Sequence, residues 1–190
     1  MRKVLVIDNH DSFVHNIIGL LRQFDDVFVE RMYNDNIVFS HLNNFDTLLL
    51  SPGPGLPKQS NSLMKCIETC VNTHKILGVC LGHQAICEFY GAKLIQLPSI
   101  KHGHKASITK TDSNDKLLKK LPRVFEAALY NSWGVSGIDF PEELLVSSVD
   151  ESGNIMSVYH KTLCIHGVQF HPESIVSNCG TTIVQSLLEL

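Results

Sequence analysis

The chain has 190 residues, 44% of them hydrophobic, and a formal net charge of −3. Single domains usually hold ~100–200 residues, so we expect one domain spanning residues 1–190. The slightly acidic balance excludes the basic surface of a nucleic-acid-binding protein. No apolar run approaches the ~18 residues of a membrane span, so neither nucleic acid nor a membrane is an expected partner.

The cysteines and histidines exclude two further classes of protein. The six cysteines form no C-x-x-C pair, and no secretory signal opens the chain, so reduced thiols and a cytoplasmic location are expected. The ten histidines are scattered, and the pair His102 and His104 has no cysteine or carboxylate cluster beside it. We therefore expect no metal site and no bound cofactor.

The first half of the chain alternates strand and helix patterns. Apolar runs predict strands, and apolar positions at helical spacing predict helices. The predicted strands are 3–8, 27–32, 47–51 and 75–79, and the predicted helices are 12–24, 61–72 and 81–90. This β-α-β alternation predicts an α/β fold with a doubly wound, mostly parallel central sheet flanked by helices.

The second half, from about residue 92, consists of short strands separated by turns. These strands are predicted at 104–110, 123–130, 144–149, 154–160 and 163–170, and a closing helix is predicted at 180–190. Strands that follow one another without intervening helices predict an antiparallel or mixed extension of the sheet.

Cys80 stands where the apolar run 75–79 stops and the helix 81–90 begins, with Gly78 and Gly82 on either side. Ligands bind at the carboxyl ends of parallel strands, and a sharp strand-to-helix turn favours glycine at both flanking positions. A helix N-terminus favours a thiolate and leaves the N–H of Leu81 free for a developing oxyanion. The pattern predicts a nucleophile, but by itself it fits a buried structural cysteine equally well.

The stretch QFHPES at 169–174 supplies a base and a carboxylate. If the strand continues through Pro172, His171 and Glu173 lie on one face. His171 can then take the thiol proton, and Glu173 can orient the imidazole. A strand-end histidine capped by a glutamate is the structural alternative. His166 and His83 compete as bases, although we expect His83 to point away from the sulfur.

The loop SPGPGLP at 51–57 directly follows the strand predicted at 47–51. Its glycines allow a close approach of backbone to a ligand, and its prolines make it rigid. An ordinary strand-exit turn would have the same composition. Because the loop leaves the sheet beside Cys80, we interpret it as an oxyanion or substrate loop.

Together these stretches resemble the class I (triad-type) glutamine amidotransferases. GVCLGHQ, SPGPGLP and QFHPES occur in that family's order and at its spacing, and the resemblance covers nearly all of residues 1–190. The opening VLVIDNHDSFVHNI is similar to the small subunits of chorismate-aminating enzymes. These subunits are anthranilate synthase component II and para-aminobenzoate (aminodeoxychorismate) synthase component II.

The resemblance implies a glutaminase mechanism. Cys80 would attack the side-chain amide of L-glutamine to form a γ-glutamyl thioester, with His171 as base and then acid and Glu173 as its orienter. The N–H groups of Leu81 and Gly53 would hold the oxyanion. The residues implied to surround the glutamine are Gly53, Pro54, Gly55, Gln84, Ser132 and Trp133. A chorismate-binding large subunit would receive the ammonia.

One stretch departs from the family pattern. The chain has Tyr130-Asn131-Ser132-Trp133 where the family usually has Tyr-His-Ser-Leu. The serine is kept, so we expect glutamine binding to be kept. The change to Asn131 puts in doubt any contact that the usual histidine makes.

Three functions are compatible with these residues. The first is a glutaminase subunit of a chorismate-aminating complex, the second a stand-alone cysteine hydrolase of γ-glutamyl bonds, and the third a silent α/β binding module, which an intact triad disfavours. The predicted elements leave no segment for an ammonia acceptor, so either a partner subunit takes the ammonia or the chain is a plain hydrolase. The segment Asp11-Ser12-Phe13, with Asn16, has no expected role in the triad, and a partner surface would explain it. Whether the product is anthranilate or aminodeoxychorismate stays open.

Overall fold

A computed structural model describes residues 1–190. Its first half contains β1 (Arg2–Asp8), α1 (Val14–Leu21), β2 (Val27–Tyr33), β3 (Thr47–Leu50), α2 (Leu63–Cys70), β4 (Lys75–Val79) and α3 (Leu81–Phe89). Its second half contains β5 (Leu94–Gln96), β6 (His104–Lys110), β7 (Val124–Leu129), β8 (Trp133–Val135), β9 (Leu144–Asp150), β10 (Ile155–His160), β11 (Ile165–Val168) and α4 (Gly180–Glu189). Two short 3₁₀ helices cover Phe39–Asn44 and Pro57–Gln59.

Nine strands form one sheet in the order β2-β1-β3-β4-β11-β10-β9-β6-β7. The strands from β2 to β11 in this order pair in parallel, and those from β11 to β7 pair antiparallel. The predicted α/β fold, with a mostly parallel sheet and an antiparallel extension, is confirmed. None of the helices has the length and apolar character needed to cross a bilayer.

The helices cover both faces of the sheet. Val4 and Val6 of β1 share a core with residues of α1 and α4, whereas Leu5 and Ile7 share a second core with residues of α2 and α3. Alternate side chains of a strand point to opposite faces, and β1 is buried on both. This double burial is the physical reason for its continuous apolar run.

A small second sheet was not predicted from the sequence. It joins β5 and β8 in antiparallel pairing, with Gln96 opposite Trp133. Each strand has three residues, which is too short to show a period of two. The pairing places Trp133 in a strand beside the carboxyl edge of the main sheet.

The late strand β11 lies in the middle of the sheet and delivers the stretch 169–174 to Cys80. It pairs with β4, with Val168 opposite Val79. The strand was predicted to run to Phe170, and this was wrong, since it ends at Val168. A turn follows, in which the N–H of Ser174 donates to the carbonyl of His171 at 3.2 Å.

Candidate active site

Cys80 occupies a strained corner between β4 and α3. Its backbone has φ 51° and ψ −100°, a region that residues other than glycine rarely adopt. Its N–H donates to the carbonyl of Val168 at 2.8 Å, so the corner is held against β11. The structure therefore places Cys80 at the strand-to-helix turn that the sequence predicts.

The glycines on either side of Cys80 are required by backbone packing. A Cβ on Gly78 would collide with the backbone of Gly82, and a Cβ on Gly82 would collide with the carbonyl oxygen of Leu50. The atoms that a Cβ would meet are main-chain atoms of a sheet and a helix, so they cannot easily move aside. β4 and α3 can meet at this angle only with glycine at both positions.

We expect Gly82→Ala to destabilise the protein by about 2 kcal/mol or more, since an added methyl in a packed interior costs ~1–3 kcal/mol and here meets backbone. Gly19→Ala is the matched control, because Gly19 also lies in a helix but a Cβ there meets no atom within 4 Å. The control should be neutral or stabilise by ~0.5–1 kcal/mol. Urea unfolding measures both, and equal midpoints would contradict the packing described.

His171 and Glu173 form a buried pair beside Cys80. The Nδ1 of His171 lies 2.7 Å from Oε1 of Glu173, and both residues are at most 6% exposed. Burial by itself lowers the pKa of His171, but the adjacent Cys80 sulfur and Glu173 carboxylate outweigh it and raise the pKa to about 10. The Nε2 atom has no hydrogen-bond partner in the protein. The imidazole is thus held at Nδ1 by Glu173, whereas Nε2 is free to exchange a proton.

The turn, and not strand alternation, brings His171 and Glu173 together. The strand does not continue through Pro172, which was the condition for both side chains to lie on one face, because residues 171–174 fold back on themselves. The pairing nevertheless arises, since a two-residue separation across this turn leaves the carboxylate within reach of Nδ1.

Neither competing histidine serves Cys80. The ring of His83 packs against Gly167 and lies 3.9 Å from the sulfur of Cys87, and burial lowers its pKa to about 3. His166 lies 3.0 Å from Asp115 and lines a surface cavity of about 400 Å³ at the opposite end of β11. His171 is therefore the histidine that the structure places beside the candidate nucleophile.

The glycine-rich loop packs directly against the start of α3. A Cβ on Gly53 would lie 2.7 Å from the side chain of Leu81, so the two residues are in contact through backbone and side chain. Leu81 is the first residue of α3, and N–H groups in the first turn of a helix have no acceptor within it. The two predicted oxyanion residues are thus brought together. Pro54 and Gly55 are exposed on the outer part of the loop.

A chain of buried amides leads from β8 to the sulfur. Gln84 donates through Nε2 to the carbonyl of Trp133 at 2.9 Å and to Oε1 of Gln169 at 3.0 Å. Gln169 in turn donates to the sulfur of Cys80 at 3.5 Å. Gln169 was not among the predicted site residues. Its place beside His171 in the stretch QFHPES is the signal that could have identified it.

The departures at Asn131 and Trp133 have a partial explanation. Asn131 is buried, and its Nδ2 donates to the carbonyl of Trp133 at 2.9 Å. The carbonyl that Gln84 contacts is therefore held from two sides, whereas the side chain of Trp133 is only half-buried. Ser132 is half-buried, and its carbonyl accepts a hydrogen bond from the N–H of Leu97 at 2.9 Å.

Two aromatic rings flank His171 and were missed by the sequence analysis. The ring of Tyr130 lies 4.9 Å from that of His171, and the ring of Phe13 lies 5.6 Å from it, both edge to face. The expectation that the segment beginning at Asp11 has no part in the triad is therefore corrected, because Phe13 touches its histidine. The only sequence signal was an aromatic residue in an otherwise polar segment.

No group of three or more His, Cys, Asp or Glu side chains forms a possible metal-ligand set. All six cysteines are free thiols. The polar groups described above are concentrated instead at the carboxyl ends of β3, β4 and β11.

Acyl transfer through a cysteine needs a nucleophile, a base and hydrogen-bond donors for an oxyanion within one small volume. The edge of this parallel sheet provides a candidate group of each kind, within the α/β fold described above. The model of the family "Glutamine amidotransferase class-I" matches residues 5–189, and the chain belongs to that family.

Curated relatives align along nearly the whole chain. The anthranilate synthase component 2 of Mycobacterium tuberculosis is 40% identical over 191 residues, covering 98% of this chain and 81% of the relative. That of Haemophilus influenzae is 36% identical over 193 residues, covering 100% and 97%. A solved glutamine amidotransferase of Thermotoga maritima superposes with a TM-score of 0.82 at 15% identity, covering 99% of this chain and 96% of that one, which supports the fold.

Proposed function

We propose that this chain is the glutaminase subunit of a chorismate-aminating synthase and passes ammonia from L-glutamine to a large subunit. The observation that carries the chemistry is the buried pair of His171 and Glu173 beside Cys80 at its strained corner. The relatives described as anthranilate synthase component 2 support the partner. They also favour anthranilate over aminodeoxychorismate as the product.

Acylation is the first proposed half-reaction. The thiol proton passes first to Nε2 of His171, where the raised pKa of the ring favours it, and the Cys80 sulfur then attacks the side-chain amide carbon of glutamine. The carbonyl oxygen becomes an oxyanion held by the N–H groups of Leu81 and Gly53. The imidazolium then gives its proton to the departing nitrogen, so that the C–N bond breaks, ammonia leaves and a γ-glutamyl thioester remains. Glu173 keeps the imidazole in the required orientation and stabilises its positive charge.

Hydrolysis of the thioester is the second half-reaction. Water gives a proton to His171 as its oxygen attacks the thioester carbon, and the same two N–H groups hold the new oxyanion. The C–S bond then breaks, the sulfur recovers the proton from His171, and glutamate is released. Each step is a proton transfer or an acyl transfer. The proposed route therefore needs no metal and no cofactor, and it suits a chain with reduced thiols in a cytoplasm.

The proposed glutamine pocket lies between the 51–55 loop and β8. Gly53, Pro54 and Gly55 form one side, and Ser132 and Trp133 form the other. The hydrogen bond from Gln84 to the carbonyl of Trp133 fixes that second side relative to α3. The hydroxyl of Ser132 is suited to the polar backbone groups of a free amino acid.

We expect Trp133→Leu to leave the glutaminase working, with KM and kcat within about threefold of the unchanged protein. Gln84 and Asn131 contact the carbonyl of residue 133, which the substitution retains. Steady-state kinetics on the complex with the large subunit would measure this. A total loss of turnover would show that the indole itself builds the site.

A stand-alone hydrolase of γ-glutamyl bonds is the second candidate, because every proposed catalytic group lies within this one chain. The two functions differ in partner dependence. Ammonia released into water is protonated and lost as a nucleophile, so a subunit that feeds an acceptor gains from waiting for that acceptor. The Asp11–Asn16 segment, in which Ser12, His15 and Asn16 are exposed, is our candidate contact with the large subunit.

The deciding experiment is glutamine hydrolysis by the purified chain alone, with the large subunit, and with the large subunit and chorismate. We expect a low rate alone and an increase of about tenfold or more on adding the partner. Equal rates in all three conditions would reject partner gating and favour the stand-alone hydrolase. Formation of anthranilate or of aminodeoxychorismate by the complex would identify the product.

A further inference from the structure

Asn9 anchors the glycine-rich loop. This residue follows β1 directly and is 2% exposed. Its backbone N–H donates to the hydroxyl of Ser51 at 2.9 Å, and its side-chain Nδ2 donates to the carbonyl of Ser51 at 2.8 Å. A Cβ on Gly53 would lie 2.5 Å from the Cβ of Asn9. The backbone of Gly53 thus packs directly against Asn9. Two residues before Gly53, Ser51 is hydrogen-bonded to the same asparagine, which connects the loop to the end of β1.

A second layer of amides fixes the side chain of Asn9. Its Oδ1 accepts from Nδ2 of Asn34 at 2.9 Å, and the Oδ1 of Asn34 accepts from Nδ2 of Asn61 at 3.0 Å. Asn34 is also 2% exposed. Buried amides with partners at both ends have one favourable orientation, because any flip leaves unpaired polar groups. The hydrogen bond from Asn34, which is itself held by Asn61, therefore fixes the orientation of the Asn9 side chain.

The four residues after Asn9 form a turn held by side-chain hydrogen bonds. The carboxylate of Asp8 accepts from the N–H groups of His10 at 2.8 Å and Asp11 at 3.3 Å. The carboxylate of Asp11 accepts from the N–H of Phe13 at 2.8 Å. These bonds link Asn9 to Phe13 with few free rotations between them.

Phe13 ends this turn against the candidate base. Its ring lies 5.6 Å from the ring of His171 and 4.9 Å from that of Tyr130, while Tyr130 lies 4.9 Å from His171. The hydroxyl of Tyr130 is 3.2 Å from that of Ser174 in the turn after β11. Tilted and edge-to-face aromatic pairs attract each other beyond the burial of their surfaces, so the three rings hold one another in place.

We infer that residues 9–13 are a positioning element for both halves of the catalytic site, in which Asn9 sets the place of Gly53 and Phe13 sets the place of His171. The inference rests on the proposed function for the roles of those two residues. Catalytic groups must be held to within ~0.5 Å, and a misplacement of ~1 Å can cost about 100-fold in rate. One short turn therefore controls the oxyanion loop and the base together.

The outer side of the same turn is open to solvent. His10 and Ser12 are exposed, as are His15 and Asn16 in the first turn of α1. A large subunit that contacts these residues would press on a turn whose inner side touches Gly53 and His171. The positioning element therefore offers a direct structural route for partner gating.

The test measures the reactivity of Cys80 in the full-length chain toward a chloroketone analogue of glutamine. Saturation kinetics separate the limiting rate of alkylation from the half-saturating concentration. We expect Phe13→Ala to lower the limiting rate about tenfold, with the half-saturating concentration changed less than twofold, and Phe13→Leu to recover part of the rate. Phe28→Ala is the matched control, because it also removes a phenylalanine ring but lies on β2, is 43% exposed and belongs neither to the site nor to residues 9–13; it should match the unchanged chain.

A second measurement reports on His171 itself. Its ring resonances, followed by NMR against pH, should show a different pKa in Phe13→Ala but not in Phe28→Ala. A folded Phe13→Ala protein with unchanged alkylation kinetics and unchanged His171 titration would overturn the inference. For the Asn9 half, Asn9→Asp keeps the side-chain shape but removes the donor to Ser51. It should lower the limiting rate more than Asn61→Ala, at the outer end of the amide chain, and equal rates would overturn this half.

These outcomes are separate from a failure of the proposed function. If the chloroketone modified another cysteine of the unchanged chain, or reacted without saturation, the assignment of Cys80 and its pocket would be wrong. If the unchanged chain reacted at Cys80 with saturation, but the Phe13 and Asn9 variants reacted at the same rates as their controls, the positioning inference alone would be wrong.

Discussion

Cys80→Ser is expected to abolish glutamine-dependent synthesis by the complex while ammonium salts still support it. The hydroxyl of serine is a far weaker nucleophile than a thiolate. Loss of a triad nucleophile costs on the order of 10⁴-fold or more. Product formation with glutamine and with ammonium, compared on one preparation, measures both parts of this expectation.

The matched control is Cys87→Ser, which replaces a thiol in the same helix. Cys87 is fully buried, and burial raises the pKa of its thiol, so it is expected to be unreactive. A glutamine analogue with an electrophilic carbon should label Cys80 in the unchanged chain. Labelling of Cys87 or Cys66 instead would contradict the assignment.

His171→Asn should have the second largest effect, a loss of several orders of magnitude in glutaminase turnover. Asparagine can fill part of the imidazole volume but cannot carry the proton from sulfur to the leaving nitrogen. Glu173→Gln keeps the shape of the orienter and should cost less, since only the charge and the tautomer preference are lost. Near-normal turnover of His171→Asn in the complex would mean that another group is the base.

The same pair predicts a pH dependence of stability. The pKa of His171 is raised to about 10, above the ordinary value of 6.5, so folding favours the protonated ring. This contribution to the free energy of unfolding is complete below about pH 6.5 and is lost as the pH rises toward 10. Glu173→Gln removes one source of the shift and should flatten the profile in that interval. Urea unfolding at a series of pH values measures it, and parallel profiles would contradict the pairing.

Several elements were predictable because their signals are local. The run Val4–Ile7 is buried on both faces, and a doubly buried strand must be apolar throughout. The strands β5 and β8 were not predictable, because three residues carry no period and their pairing depends on where α3 and the main sheet place them. The end of β11 at Val168 was misjudged because nothing in QFHPES marks where its partner strands stop.

The residues of the candidate site also divide into those that local sequence signals predicted and those that they missed. The residue types and spacing of Cys80, His171 and Glu173 sufficed to propose nucleophile, base and orienter. Gln169 touches Cys80 from 89 residues away, and Phe13 touches His171 from the other end of the chain. No local pattern indicates such contacts, so both residues were missed.

The sequence by itself determined the local chemistry and the local backbone of this protein. Gly78 and Gly82 permit the sharp corner at Cys80, and the apolar runs define the buried strands. Only the tertiary structure decided that β11 inserts beside β4 and that the turn after Asn9 touches both Gly53 and His171. The physical reason is that a strand's own residues favour an extended, buried conformation but do not specify its neighbours. The neighbours are selected by the packing of the whole sheet and of the helices on its two faces.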